Sequence, residues 1–144
     1  MMNEIGGTIS AFRVNDDGVL SAVPGSDVAC GRFPHVPAIT PDSKYLYTPG
    51  LGGSGIHCYE ILGDGSLRTI GTAAFGKDFP EALRISPSGK VLWAFGSKLN
   101  LKLSTVLRRY VVQPDGRLVL DPEAVTEVDL TSTSGFPMNI VARG

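Results

Sequence analysis

The sequence predicts an all-β chain built from a repeated unit of four antiparallel strands, and three observations carry that expectation. Short runs of Val, Ile, Leu and Tyr are punctuated by 18 Gly and 10 Pro in 144 residues, while a hydrophobic content of 42% favours a buried core over disorder. An Asp-Gly turn between two apolar runs occurs three times. A proline-bounded segment from Phe33 to Tyr47 returns without a gap from Phe79 to Trp93.

The elements follow in order. Thr8 to Val14 leads through Asp17-Gly18 into Val19-Leu20, Gly55 to Ile61 through Asp64-Gly65 into Ser66-Leu67, and Val106 to Val112 through Asp115-Gly116 into Arg117-Leu118. Asp-Gly supplies the positive φ that a tight hairpin needs. The turn glycines at 18, 65 and 116 are spaced by 47 and then 51 residues. Between them, Pro41-Asp42-Ser43-Lys44 and Pro87-Ser88-Gly89-Lys90 turn the chain between the first two strands of a unit. Lys44 to Tyr47 and Lys90 to Phe95 carry aromatic, β-branched or other apolar residues nearly continuously, so both faces are expected to be buried, with Trp93 in the core.

A period of about 40 to 50 residues with four strands is that of one blade of a β-propeller. One whole blade is expected over 34–77, with strands near 36–40, 44–48, 55–61 and 67–74, and a second over 80–128, with strands near 82–86, 90–95, 105–112 and 118–128. Residues 8–29 read as the last two strands of an earlier blade, and 135–144, where Gly135-Phe136-Pro137 opens a third copy, as the start of a later one. Leu99, Leu101 and Leu103 alternate with polar residues in an insertion between Ser97 and Ser104, the period of an extended hairpin arm. Two whole blades cannot close a ring, since propellers close with about 4 to 8. The expectation is therefore an incomplete ring whose terminal sheets are covered by self-association or by the missing blades of a longer parent.

Charge and cysteine content narrow the function. A net charge of −1, from 13 basic and 14 acidic residues, provides no field for nucleic acid or an anionic membrane. No apolar run is long enough for a membrane span or an export signal, and the default expectation is the cytoplasm. Cys30 and Cys58 lack metal-ligand spacing, so buried free thiols are expected, with no metal and no other cofactor. Gly50 to Gly55 is glycine-rich but is followed by a strand, not by a helix and lysine, which marks a hairpin connection rather than a phosphate loop.

The segments FPHVPAITPDSKYLY (33–47) and ISAFRVNDDGVL (9–20), with their second copies, resemble the lactonase family of seven-bladed propellers, which includes 6-phosphogluconolactonases, carboxymuconate-lactonising enzymes and YVTN-type repeat proteins. The resemblance implies hydrolysis of a sugar-acid lactone. Catalytic members carry an Arg-His pair after the proline that opens an inner strand. Here those positions read His35-Val36, Glu81-Ala82 and Met138-Asn139.

His35, Glu81 and Met138 thus occupy corresponding places around a central channel. His35 and Glu81 are the candidate catalytic acid and base, and Arg32, Lys77 and Asn139, with Asp78 nearby, the candidate substrate ligands. Two readings stand. In one the chain belongs to a lactone hydrolase; in the other it is a non-catalytic propeller segment or binding module, with His35 and Glu81 as solvated loop-end residues.

Overall fold

The computed structural model describes residues 1–50, 55–98 and 104–129. Thirteen strands form among them and no helix: β1 Met2–Asn3, β2 Thr8–Ile9, β3 Phe12–Val14, β4 Leu20–Ala22, β5 Val28–Ala29, β6 Ala38–Ile39, β7 Tyr45–Gly50, β8 Gly55–Ile61, β9 Leu67–Ala73, β10 Phe79–Ile85, β11 Val91–Ser97, β12 Ser104–Val112 and β13 Leu118–Asp129. They make two antiparallel four-stranded sheets, ordered β6-β7-β8-β9 and β10-β11-β12-β13, beside an N-terminal unit of β1-β2-β5 and the hairpin β3-β4. No sheet closes on itself: the architecture is all-β, an arc of propeller blades.

Local chemistry sets the hairpins. Gly18, Gly65 and Gly116 all sit at positive φ, and the amide of each donates to a carbonyl three residues back. At Gly116 two constraints coincide, since φ is 79° and a Cβ would stand 2.3 Å from the Tyr45 ring. In the inner turns Gly89 and Ser43 take the same left-handed geometry, at φ 71° and 58°. Asp42 steadies the serine version: its carboxylate accepts from the Thr40 hydroxyl at 2.7 Å and from the Lys44 amide at 3.1 Å.

The inner strands depart from the expected pattern in opposite ways. β6 is only Ala38–Ile39, because residues 33 to 37 hold two prolines that cannot donate to a ladder. β10 instead starts early, at Phe79, and absorbs its proline at a bulge between Pro80 and Ala82. In the N-terminal unit the strands expected over 8–14 and 19–29 are each split, and Met2–Asn3 adds a strand that sequence reasoning missed.

The main core lies between the two four-stranded sheets. Tyr47, Ile56, Cys58 and Phe75 pack there against Leu83, Leu92, Ala94, Val106 and Tyr110. Burying each large apolar side chain contributes about 1.5–3 kcal/mol. Tyrosine hydroxyls tie one sheet to the next: Tyr47 donates to Gly116 O at 2.9 Å, Tyr45 to Pro114 O at 3.0 Å, and Tyr110 to Ala74 O at 2.8 Å. Tyr59 does the same towards the N-terminal unit, donating to Ala29 O at 2.6 Å. A smaller core of Ile9, Cys30, Leu46 and Tyr59 lies below it.

Trp93 corrects the expectation of full burial on both faces. Along β11, burial alternates strictly, with Leu92, Ala94 and Gly96 buried and Val91, Trp93 and Phe95 only half-buried. One face packs on the preceding sheet; the other is not closed by the described residues. Cys30 and Cys58 are buried free thiols, and burial pushes both up to about 11, leaving them protonated and unreactive at neutral pH.

Candidate functional site

His35 and Glu81 stand 46 residues apart in the sequence, His35 just ahead of β6 and Glu81 at the bulge near the start of β10. A parallel bridge joins Val36 to Ala82: the Val36 amide donates to Glu81 O and the Leu83 amide to Val36 O, both at 3.2 Å. The residues preceding the bridge partners are therefore neighbours, and the imidazole of His35 acts electrostatically on the Glu81 carboxyl. The fold brings the two candidate acid-base residues together.

Glu81 is 2% exposed, unusual for a carboxyl without a paired cation in hydrogen-bond contact. The bulge at Pro80/Ala82 turns its side chain across the strand pair, where Ser97, at the end of β11, donates its hydroxyl to Oε1 at 2.5 Å. Oε2 is buried with no hydrogen-bond partner among the described residues, and so is Nδ1 of half-buried His35. Burial raises the Glu81 carboxyl above its ordinary range; the Ser97 hydrogen bond and then the nearby imidazole pull it down and only partly offset this. A carboxyl whose ionisation is raised by burial, beside an imidazole, is a proton-transfer pair in kind.

The remaining candidates are placed unequally. Arg32 and Lys77 are exposed on the two links that lead into the inner strands. Asp78, on the second link, does not face outward: it accepts from Arg108 Nη2 at 2.6 Å, and both side chains are largely buried. Asn139 and Met138 lie outside the described residues, as do most of the 97–104 insertion and the Gly50–Gly55 connection. Ser97 was missed by sequence reasoning, because nothing in a serine at a strand end marks it until the bulge is known. No group of three or more His, Cys, Asp or Glu side chains suited to a metal ion occurs among the described residues. No described helix is long and apolar enough to cross a membrane.

Two four-stranded antiparallel sheets packed side by side, with no ring closed among the described residues, define the class as part of a β-propeller. Comparison with known proteins makes the class specific. Residues 1–109 match the family model for the lactonase seven-bladed β-propeller, and the chain belongs to that family. Among solved structures it is similar to a protein of Bacteroides fragilis NCTC 9343 provisionally named a 6-phosphogluconolactonase, with 27% identity over 88% of this chain and 35% of that one and a TM-score of 0.73. A Bacteroides uniformis protein with the same provisional name gives 24% identity over 88% and 39%, TM-score 0.70. A hypothetical selenium-binding protein of Sulfolobus tokodaii gives 16% over 83% and 35%, TM-score 0.69, and attests the fold alone. No curated protein matches significantly. The chain spans about a third of the length of the structures it matches.

Proposed function

We propose that this chain supplies the acid-base pair of a lactonase-type propeller that hydrolyses a sugar-acid lactone such as 6-phosphogluconolactone. The observation that carries the reading is the convergence of His35 and Glu81 across the Val36–Ala82 bridge, each with a buried polar atom left without a partner. In the proposed reaction His35 takes a proton from water as the water oxygen bonds to the lactone carbonyl carbon. Glu81, in its acid form, then gives its proton to the ring oxygen as the acyl C–O bond breaks, leaving the open hydroxy acid. Exposed Arg32 and Lys77, with Asn139, would hold the anionic groups of such a substrate.

The test is release of acid from 6-phosphogluconolactone, measured against its spontaneous hydrolysis. Activity unchanged when His35 and Glu81 are both replaced by alanine would remove the assignment. A second reading, a binding module without catalysis, is favoured by the same positions: they read His35-Val36 and Glu81-Ala82, without the Arg-His pair of the catalytic relatives. It predicts that a lactone or its hydroxy acid binds without turnover.

The partner proposed is a second copy of the chain or further blades of a longer one. Phe12, Val14 and Leu20 are exposed on the N-terminal hairpin, and Val111, Val119 and Val125 on the last sheet, which leaves apolar side chains at both ends of the arc. A discrete oligomer by light scattering supports the first form of this proposal, and a stable monomer argues against it. The cytoplasm remains the proposed compartment.

A further inference from the structure

Arg108 sits in the middle of β12, opposite Ala94 and Val125, and turns back towards the preceding sheet. Its guanidinium carbon stands 4.9 Å from the centroid of the Phe75 ring, and its Nη2 donates to Asp78. Gly76 wraps the link over it: φ there is +69°, and a Cβ would lie 3.0 Å from Nη2. Phe75, Gly76 and Asp78 are successive points on the link that becomes β10. Glu81 follows three residues after Asp78, on the bulge.

The preceding blade provides an internal comparison. Tyr59 and Tyr110 are equivalent, each donating its hydroxyl to the carbonyl of the alanine that ends the previous unit, Ala29 or Ala74. Two residues before each stand His57 and Arg108. His57 makes no clamp of this kind: its Nε2 is buried without a partner among the described residues, and its ring lies 6.5 Å from that of Tyr59, centroid to centroid. The clamp is therefore not a requirement of the repeat. It is present on the link that delivers Glu81.

We infer that Arg108 is a positioning residue for Glu81, acting through Asp78 and the 75–80 link to hold the carboxyl in its buried place beside Ser97 and His35. A largely buried, charge-assisted hydrogen bond with the guanidinium stacked on an aromatic ring fixes a link far better than exposed ion pairs do, such as Arg117 with Asp115 here. The functional weight of the inference rests on the acid-base reading of Glu81, but its test does not need turnover.

The experiment follows the Glu81 side-chain carboxyl carbon by NMR through a pH titration of the full chain, in the wild type and in Arg108→Ala, Asp78→Asn and His57→Ala. The expected result is a fall of about one unit in the Glu81 midpoint, roughly tenfold in proton affinity, for Arg108→Ala and Asp78→Asn, as the carboxyl swings towards water. His57→Ala should leave that midpoint unchanged. A folded Arg108→Ala or Asp78→Asn chain with an unaltered Glu81 midpoint overturns the inference and leaves the pair as scaffold. So does failure of both variants to fold, which would make the clamp a general support. The expected fall in the Glu81 midpoint together with no lactonase activity in any chain would sink the proposed function while leaving the positioning role standing.

Discussion

Replacing Glu81 by glutamine separates what this carboxyl does for the fold from what it does in the site. The side chain is 2% exposed, accepts one hydrogen bond from Ser97 and leaves Oε2 without a partner among the described residues. An ionised carboxylate so placed is short of the contacts that a buried charge needs. Glutamine keeps the shape and the acceptor for Ser97. It weakens that bond from charge-assisted to neutral, a loss of about 1 kcal/mol, and removes an undersolvated charge whose unmet hydrogen bonding costs about 1–3 kcal/mol. The amide nitrogen that takes the place of Oε2 is itself a buried donor without a partner, so the two costs nearly offset and the variant should stay within about 1 kcal/mol of the wild type above neutrality, or a few degrees in Tm for a chain of this size.

The pH dependence gives the sign. The unfolded carboxyl ionises near 4.5, whereas burial keeps the folded one protonated to higher pH, so between those midpoints the native state binds more protons. Stability conferred by that extra proton is fully present below 4.5 and is lost as pH rises through the folded midpoint. The wild-type minus Glu81→Gln difference, from urea unfolding at pH 4, 6 and 8, should therefore favour the wild type most at pH 4 and least at pH 8. If Glu81 is the general acid, the same variant should lose about 10²–10⁴-fold in lactone hydrolysis. A difference flat with pH would refute the claim that burial raises the ionisation of Glu81.

Other expectations follow from the same coordinates. Tyr59→Phe and Tyr110→Phe each remove one hydroxyl tie, to Ala29 O or Ala74 O on exposed residues, and should each cost about 0.5–1.5 kcal/mol in denaturant titrations. Burial lowers the ionisation of His57 below 6.5, so the unfolded chain binds the extra proton as pH drops through 6.5; the resulting acid destabilisation should be diminished in His57→Gln, read as the change in urea midpoint between pH 7 and pH 5. Gly96→Ala would place a Cβ 2.2 Å from Phe79 O and 2.5 Å from the Phe75 ring, neither of which can yield cheaply, and should cost at least about 1–3 kcal/mol by thermal unfolding.

Much of the scaffold is legible in the chain because its signals are local. An Asp-Gly between apolar runs specifies a hairpin whatever surrounds it, and the three such turns all form. The doubled segment from Phe33 and from Phe79 fixes which strands are equivalent. What is not legible is where one unit rests on another. The pairing of His35 with Glu81 depends on a parallel bridge across two blades, and the partnership of Glu81 with Ser97 depends on a bulge at Pro80 that the first copy of the segment lacks. Arg108 reads from sequence as one of two adjacent arginines on a strand. Only the packed link distinguishes it from Arg109, whose partner Asp121 lies across the same sheet on a more exposed face.

Divergence between the two copies locates function better than their likeness does. Positions that a blade needs are filled alike: Tyr59 and Tyr110 carry the same hydroxyl-to-carbonyl tie, and Gly65 and Gly116 the same turn. Where the copies differ, the repeat itself does not require the residue, as with His35 against Glu81 and His57 against Arg108. A fold does not by itself select a chemistry. A mutation that copies one blade into the other, His57→Arg with Arg32→Asp, separates the two kinds of position. If the clamp is portable scaffold, the double variant should gain stability. If it serves Glu81 alone, the variant should gain none, and the His35 link should become more rigid without any change in the Glu81 titration.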